Sequence, residues 1–221
     1  MPDPRLIVFL RAPQVGQVKT RLAAALGAEA TLAAYRHLLD ITLGAVRELD
    51  SVELRFTPDN DSSSVEPWRR SGWSMATQGG GDLGERLARA FADGFTSGVD
   101  RIAVIGTDCP HVTAEDIRWA WEALKTHDVV LGPATDGGYW LIGLRSPQPG
   151  LFSGMRWGGE TVFQETRRRA LEFGLTVAVL RELPDVDTVA DWEAYQASRA
   201  AKPATSPLFA GGPAPDNLAF R

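Results

Sequence analysis

Residues 102–110 read I-A-V-I-G-T-D-C-P, and the layout of the whole chain turns on them. Three of the first four residues are branched aliphatics, and the other is the small Ala103. An unbroken apolar run suits a strand covered on both faces by helices, so it predicts the centre of a parallel sheet. The run stops at Gly106, and Asp108 follows two residues later. Open α/β sheets bind their ligands at the carboxyl ends of the strands, which puts Asp108 where chemistry is done. A carboxylate there, closed off by Pro110, can hold a divalent cation. It can equally cap the segment that follows.

Outward from this stretch, strands and helices alternate. Residues 5–10 (R-L-I-V-F-L) and 129–133 predict two more buried strands, with further strands at 52–56, 74–77, 139–144 and 176–180. Helices are predicted over 18–26, 28–49, 161–173 and 188–198, with a short one near 65–70. Another opens at Q-G-G-G-D-L-G, where Leu87, Ala90, Phe91, Gly94 and Phe95 share one face. Thr113 begins one more, with Asp116 three residues on as a capping box. The pattern predicts an α/β three-layer sandwich with a mostly parallel sheet.

With 221 residues, 44% of them hydrophobic, residues 1–200 suffice for one domain. Residues 201–221 carry too much Pro and Gly for regular structure and read as a tail, disordered or draped on the domain through Leu208, Phe209, Leu218 and Phe220. The net charge of −5 is spread along the chain, so nothing suggests a nucleic-acid footprint. The lone Cys109 excludes an internal disulfide and fits a reducing compartment. No apolar run approaches the roughly 18 residues needed to span a bilayer. The start, M-P-D-P-R, lacks signal-peptide character, so the expectation is a soluble, cytoplasmic protein.

Beyond Asp108, four stretches offer chemistry. The loop 11–21 places Gly16, Lys19 and Arg21 between the first strand and its helix, where backbone N–H groups and cations suit phosphate oxygens. It is not a P-loop, and solvated helix cations are the plain alternative. Gly79, Gly81 and Gly84 spell G-x-G-x-x-G, but Asp82 would repel a pyrophosphate and the first βα unit is taken by another loop. Asp82 reads instead as an N-cap with Glu85 completing a capping box, and the glycines let backbone approach a nucleobase. At 133–141, P-A-T-D-G-G-Y-W-L is a tight turn on the same rim as Asp108, so Asp136 and Tyr139 face a shared cleft unless it is a plain β-turn. In L-P-D-V-D-T at 183–188, Asp185 and Asp187 alternate and point to one side, which suggests a cation or an exposed turn.

Other chemistry finds little support. His37, His111 and His127 lack metal-ligand spacing, with His37 read as a helix-surface residue, and no G-x-S-x-G occurs. Asp108 would disfavour a Cys109 thiolate, which argues against a cysteine nucleophile. Trp157, in M-R-W-G-G, could stack on a ligand.

Taken together, F-L-R-A-P-x-x-G-x-V-K-T-R-L, G-D-L-G-E-R-L, I-G-T-D-C-P, G-P-A-T-D-G-G-Y-W-L-I-G-L and D-V-D-T-x-x-D-W resemble a GT-A-like family of uncharacterised transferases. Its members are labelled nucleotide-diphospho-sugar transferases or glycosyltransferases of radical-SAM and arsenosugar clusters, and small nucleotidyltransferases are related to them. The resemblance implies phosphate binding by Arg11, Gly16, Lys19 and Arg21, and base contacts from Gln78, Gly81, Asp82 and Gly84. It implies Mg²⁺ or Mn²⁺ on Asp108, completed by Asp187 or, second, Asp185. It puts the acceptor by Asp136, Gly137, Gly138 and Tyr139, to which the reading of the residues themselves adds Trp157 beside it and Asp136 as the base. T-D-C-P supplies one acid where such glycosyltransferases show D-x-D, and the first loop has one glycine where pyrophosphorylases have several. Both departures leave the reaction type open, and the expected activity is glycosyl transfer from a nucleotide sugar to a small acceptor. Nucleotidyl transfer from an NTP is the alternative, a non-catalytic nucleotide-binding module comes third, and monomer and homodimer both stay open.

Overall fold

In the computed structural model, which describes residues 3–200, the elements follow in the order β1 (Arg5–Arg11), α1 (Thr20–Leu26), α2 (Ala28–Ala45), β2 (Val52–Thr57), β3 (Ser74–Thr77), α3 (Leu83–Thr96), β4 (Ile102–Ile105), α4 (Ala114–Ala123), β5 (Val129–Pro133), β6 (Tyr139–Leu144), α5 (Val162–Glu172), β7 (Val177–Val179) and α6 (Val189–Ala200). The strands form one seven-stranded sheet in the order β3-β2-β1-β4-β6-β5-β7. Only β6 runs against its neighbours, antiparallel to both β4 and β5. The cause is local: the turn after β5 is too short for a crossover, so the chain must fold back as a hairpin. The reversal puts Tyr139, the first residue of β6, on the rim where the other strands end.

The apolar runs split their side chains by alternation. On β1, Leu6, Val8 and Leu10 enter one core layer while Ile7 and Phe9 enter the other; on β4, Ala103 and Ile105 part from Ile102 and Val104 in the same way. Leu39 and Leu43 of α2 and Ile117 of α4 cover the first face. Leu87 and Phe91 of α3 and Ala170 of α5 cover the second. The expected three-layer sandwich with a mostly parallel sheet is what forms.

The capping boxes are both present, Asp82 with Glu85 on α3 and Thr113 with Asp116 on α4. Boundaries move elsewhere. Helix α2 stops at Ala45, four residues short of the expected end, where Val46 leaves helical geometry. The helix expected over 65–70 is a single 3-10 turn, Glu66–Trp68, around Pro67. His37 is not a free surface residue: its ring meets the Tyr195 hydroxyl at 3.3 Å and Arg199 Nη1 at 2.6 Å across the α2–α6 contact. The tail read at 201–221 lies outside the described residues. Among those described, no helix is long and apolar enough to cross a membrane.

Candidate active site

The loops leaving β1, β3, β4, β5 and β7 converge on one cleft of about 600 Å³ at the carboxyl rim of the sheet. That is the size range of small-ligand sites. Strand β4 delivers Asp108 to its edge with about half of the side chain exposed. The D-V-D segment is stitched alongside: the Val186 N–H donates to the Asp108 carbonyl at 2.9 Å, and Leu183 N–H donates to Pro133 at 3.0 Å. Val186 is buried between the two acids, so Asp185 and Asp187 both line the cleft.

Lys19 lies opposite. It is the N-cap of α1 at φ 46°, ψ 53°, the left-handed region that costs a non-glycine residue about 1–2 kcal/mol. That backbone carries its largely buried ammonium to 2.6 Å from Asp108 Oδ1 and 3.6 Å from Asp187 Oδ1. Arg21 Nη1 stands 3.0 Å from Asp187 Oδ2. Arg11 also lines the cleft, its Nη1 donating to the Gln17 carbonyl at 3.0 Å. The Tyr35 hydroxyl clamps the Arg11 backbone, accepting from its N–H and donating to its carbonyl, and burial pushes this phenol up to about 12. Gly16 turns the loop at φ 73° and stays off the lining.

On the α3 side, Gln78 is buried and its amide orientation is set by two carbonyls, Leu10 and Arg55, each 3.0 Å from Nε2. Arg86, which the sequence reading passed over inside G-D-L-G-E-R-L, lines the cleft and donates to the Gly81 carbonyl at 3.0 Å. The signal was available, since the first turn of a helix that opens at the rim must point at the ligand end. Gly81, Asp82 and Gly84 do not line the cleft. A Cβ on Gly84 would sit 2.6 Å from the Phe152 carbonyl and 2.8 Å from the Trp157 ring, so this glycine lets the Trp157 loop pack on α3.

The far end belongs to the β5–β6 turn. Asp136 Oδ1 accepts from the Gly138 N–H at 2.8 Å. Gly137, at φ 87°, packs directly against the Glu160 carbonyl and stays off the lining, while Gly138, Tyr139 and Trp157 are on it. The Tyr139 ring packs into the core layer and burial pushes its phenol up. Asp185 Oδ1 accepts from the Thr135 hydroxyl at 3.2 Å. Burial first, and then the Asp136 charge, push the Asp185 carboxyl up. Cys109 is buried, and that burial followed by the Asp108 charge raises its thiol, which leaves it inert as a nucleophile.

No group of three or more metal-ligating side chains is present among the described residues. Asp108 and Asp187 nonetheless converge on one point, the position of the Lys19 ammonium. Two carboxylates fit a Mg²⁺ or Mn²⁺ ion that takes its remaining oxygens from phosphate and water.

A family model described as an uncharacterised protein conserved in bacteria, DUF2064, matches residues 42–159, over half of the chain. The chain belongs to that family. A crystal structure of a provisionally named nucleotide-diphospho-sugar transferase from Desulfovibrio desulfuricans G20 is 34% identical, with a TM-score of 0.85 over 93% of this chain and 90% of that one. A phosphoenolpyruvate guanylyltransferase of Sphaerobacter thermophilus is 27% identical over 85% of this chain and 90% of its own length. At 17% identity and a TM-score of 0.53, a manganese complex of the Rv0371C protein of Mycobacterium tuberculosis H37Rv, covering 88% of this chain and 98% of that one, shares the fold. The resemblance drawn from the motifs and the transferase class expected from it both stand on the first two of these proteins.

Proposed function

We propose that this DUF2064 chain transfers a group from a nucleotide-activated donor, and that the donor is a nucleotide-diphospho-sugar. One observation carries the reading: Asp108 and Asp187 converge on Lys19, with Arg21 behind, at the carboxyl rim of a parallel sheet. Paired acids beside paired cations are what a metal-bound diphosphate requires on its two sides. A divalent cation held by Asp108 and Asp187 would neutralise the charge that gathers on the leaving diphosphate.

Lys19 and Arg21 turn to the phosphate oxygens as the donor enters. Gln78 and Arg86 hold the nucleobase end. The acceptor oxygen attacks the anomeric carbon, its proton passes to Asp136, and the carbon–oxygen bond to phosphate breaks to release the nucleoside diphosphate. The buried, lone Cys109 suits a reducing, cytoplasmic setting. The test is nucleotide-diphosphate binding by Asp108→Ala. Unchanged affinity with unchanged Mn²⁺ dependence would sink the metal assignment.

Nucleotidyl transfer is the second reading, favoured by the guanylyltransferase relative and by the additional cations Arg11 and Arg86 on the cleft wall. Pyrophosphate release from GTP or CTP, with nucleotide sugars left intact, decides for it.

A further inference from the structure

The acids of the cleft fall into two pairs with different partners. Asp108 and Asp187 are matched by Lys19 and Arg21. Asp136 and Asp185 have no ion-pair partner among the described residues, only the Gly138 N–H and the Thr135 hydroxyl. The cations lining the cleft are Arg11, Lys19, Arg21 and Arg86, all on the β1 loop, α1 and the start of α3. Around Asp136 and Asp185 the lining is Ala134, Gly138, Trp157, Gly158 and Gly159, with no cation among them. Arg156 is exposed beside Trp157 and stays off the lining.

A phosphate or carboxylate at this end would meet two negative charges, Asp136 exposed and Asp185 half-buried, neither of them held in an ion pair. A hydroxyl or an amine would find two acceptors instead. We infer that the acceptor is an uncharged or cationic small molecule offering a hydroxyl or amine, and that phosphorylated and carboxylated acceptors are excluded by Asp136 and Asp185. The inference rests on the donor occupying the cationic end. It also separates this chain from its phosphoenolpyruvate-using relative, whose acceptor is an anion.

Two measurements on the full chain test it. Gly159→Cys places a thiol on the acceptor wall, where an added Cβ meets only the Arg156 carbonyl at an ordinary 3.7 Å, while the native Cys109 is buried. Cationic and anionic methanethiosulfonates are compared, with their rates normalised to a neutral cysteine peptide. The cationic reagent should lead by roughly tenfold, and the lead should collapse in the Asp136→Asn/Asp185→Asn background. Equal rates, or a lead that survives that background, overturn the inference. Acceptor pairs are then offered with UDP-glucose, GDP-mannose or GTP and Mn²⁺: glycerol against glycerol 3-phosphate, ethanolamine against phosphoethanolamine, and phosphoenolpyruvate alone. Preferred use of an uncharged or cationic member supports it; preferred use of a phosphorylated one overturns it. Thermal shift by the donors reports separately on the donor reading, so a chain that ignores nucleotides but favours the cationic reagent fails there and not here.

Discussion

Asp108 and Asp187 differ from Asp136 and Asp185 in surroundings rather than in chemistry. The first pair sits against an ammonium and a guanidinium, and the second only against a hydroxyl and a backbone N–H. One pair is prepared to hold positive charge and the phosphates that come with it. The other accepts hydrogen bonds from something that carries none of its own negative charge. The contrast distinguishes paired from unpaired acids within one cleft, and each pair can be attacked by itself.

The largest effect should follow from breaking the first pair. Asp108→Ala should lower kcat/KM by about 10³-fold or more, in line with the loss of a group that supports charge in the transition state. Its thermal stability should fall modestly, because half of that side chain is exposed but the buried Lys19 ammonium is left with Asp187 alone. A variant that keeps its activity would remove Asp108 from the chemistry. Next comes the second pair: Asp136→Asn should cost about 10²-fold in kcat while donor binding by thermal shift stays intact. Equal losses of donor affinity and kcat would instead make Asp136 a donor ligand and blur the division between the halves.

How much of this was readable beforehand depends on what kind of contact each residue makes. The four rim acids are local signals, acids just past apolar runs, and the sheet had to bring them together. Both capping boxes are likewise written within four residues, which is why Asp82 and Thr113 are legible as caps. The roles of Gly84 and Gly137 were not, since each is defined by a distant partner, the Trp157 ring and the Glu160 carbonyl. Arg86 carries no local mark of its role, since an arginine within a helix reads as a solvated face until the rim is placed beside it. The pairing of Lys19 with Asp108 joins residues far apart in the chain through a left-handed N-cap that no residue pattern announces.

A fifth acid, Asp116, sharpens the contrast by belonging to neither half. Its carboxylate closes the α4 capping box and takes Arg181 Nε and Nη2 at 2.7 Å each. Burial opposes its charge, but the Arg181 and Thr113 hydrogen bonds prevail and hold it below the usual carboxylate range. A folded pKa below the unfolded value of about 3.9 means stability that is present above that pH and lost as pH falls through the lower folded value. Asp116→Asn should therefore cost about 2 kcal/mol at pH 7, measured by urea unfolding, with the gap from wild type narrowing as pH falls below the usual carboxylate range. Nucleotide binding should persist. A carboxylate that supports the fold and one that supports the ligand would then be told apart by which measurement moves.

The smallest expected effect bears most directly on how the first pair works. Asp108 and Asp187 present their oxygens to the Lys19 ammonium, so a divalent cation and Lys19 compete for one place until phosphate draws the ammonium aside. Lys19→Met should then raise the affinity for Mn²⁺ in the absence of nucleotide by about tenfold, close to 1.4 kcal/mol. The same change should weaken nucleotide-diphosphate binding, because the ammonium is lost from the phosphates. Free Mn²⁺ measured by electron paramagnetic resonance, with and without GDP, separates the two. Opposite signs for the two affinities are the mark of a residue that serves as counter-ion in one state and ligand in the next. If both affinities fell together, Lys19 would be holding the acids in place for the metal rather than standing in for it, and the first pair would owe its geometry to the very cation thought to compete with it.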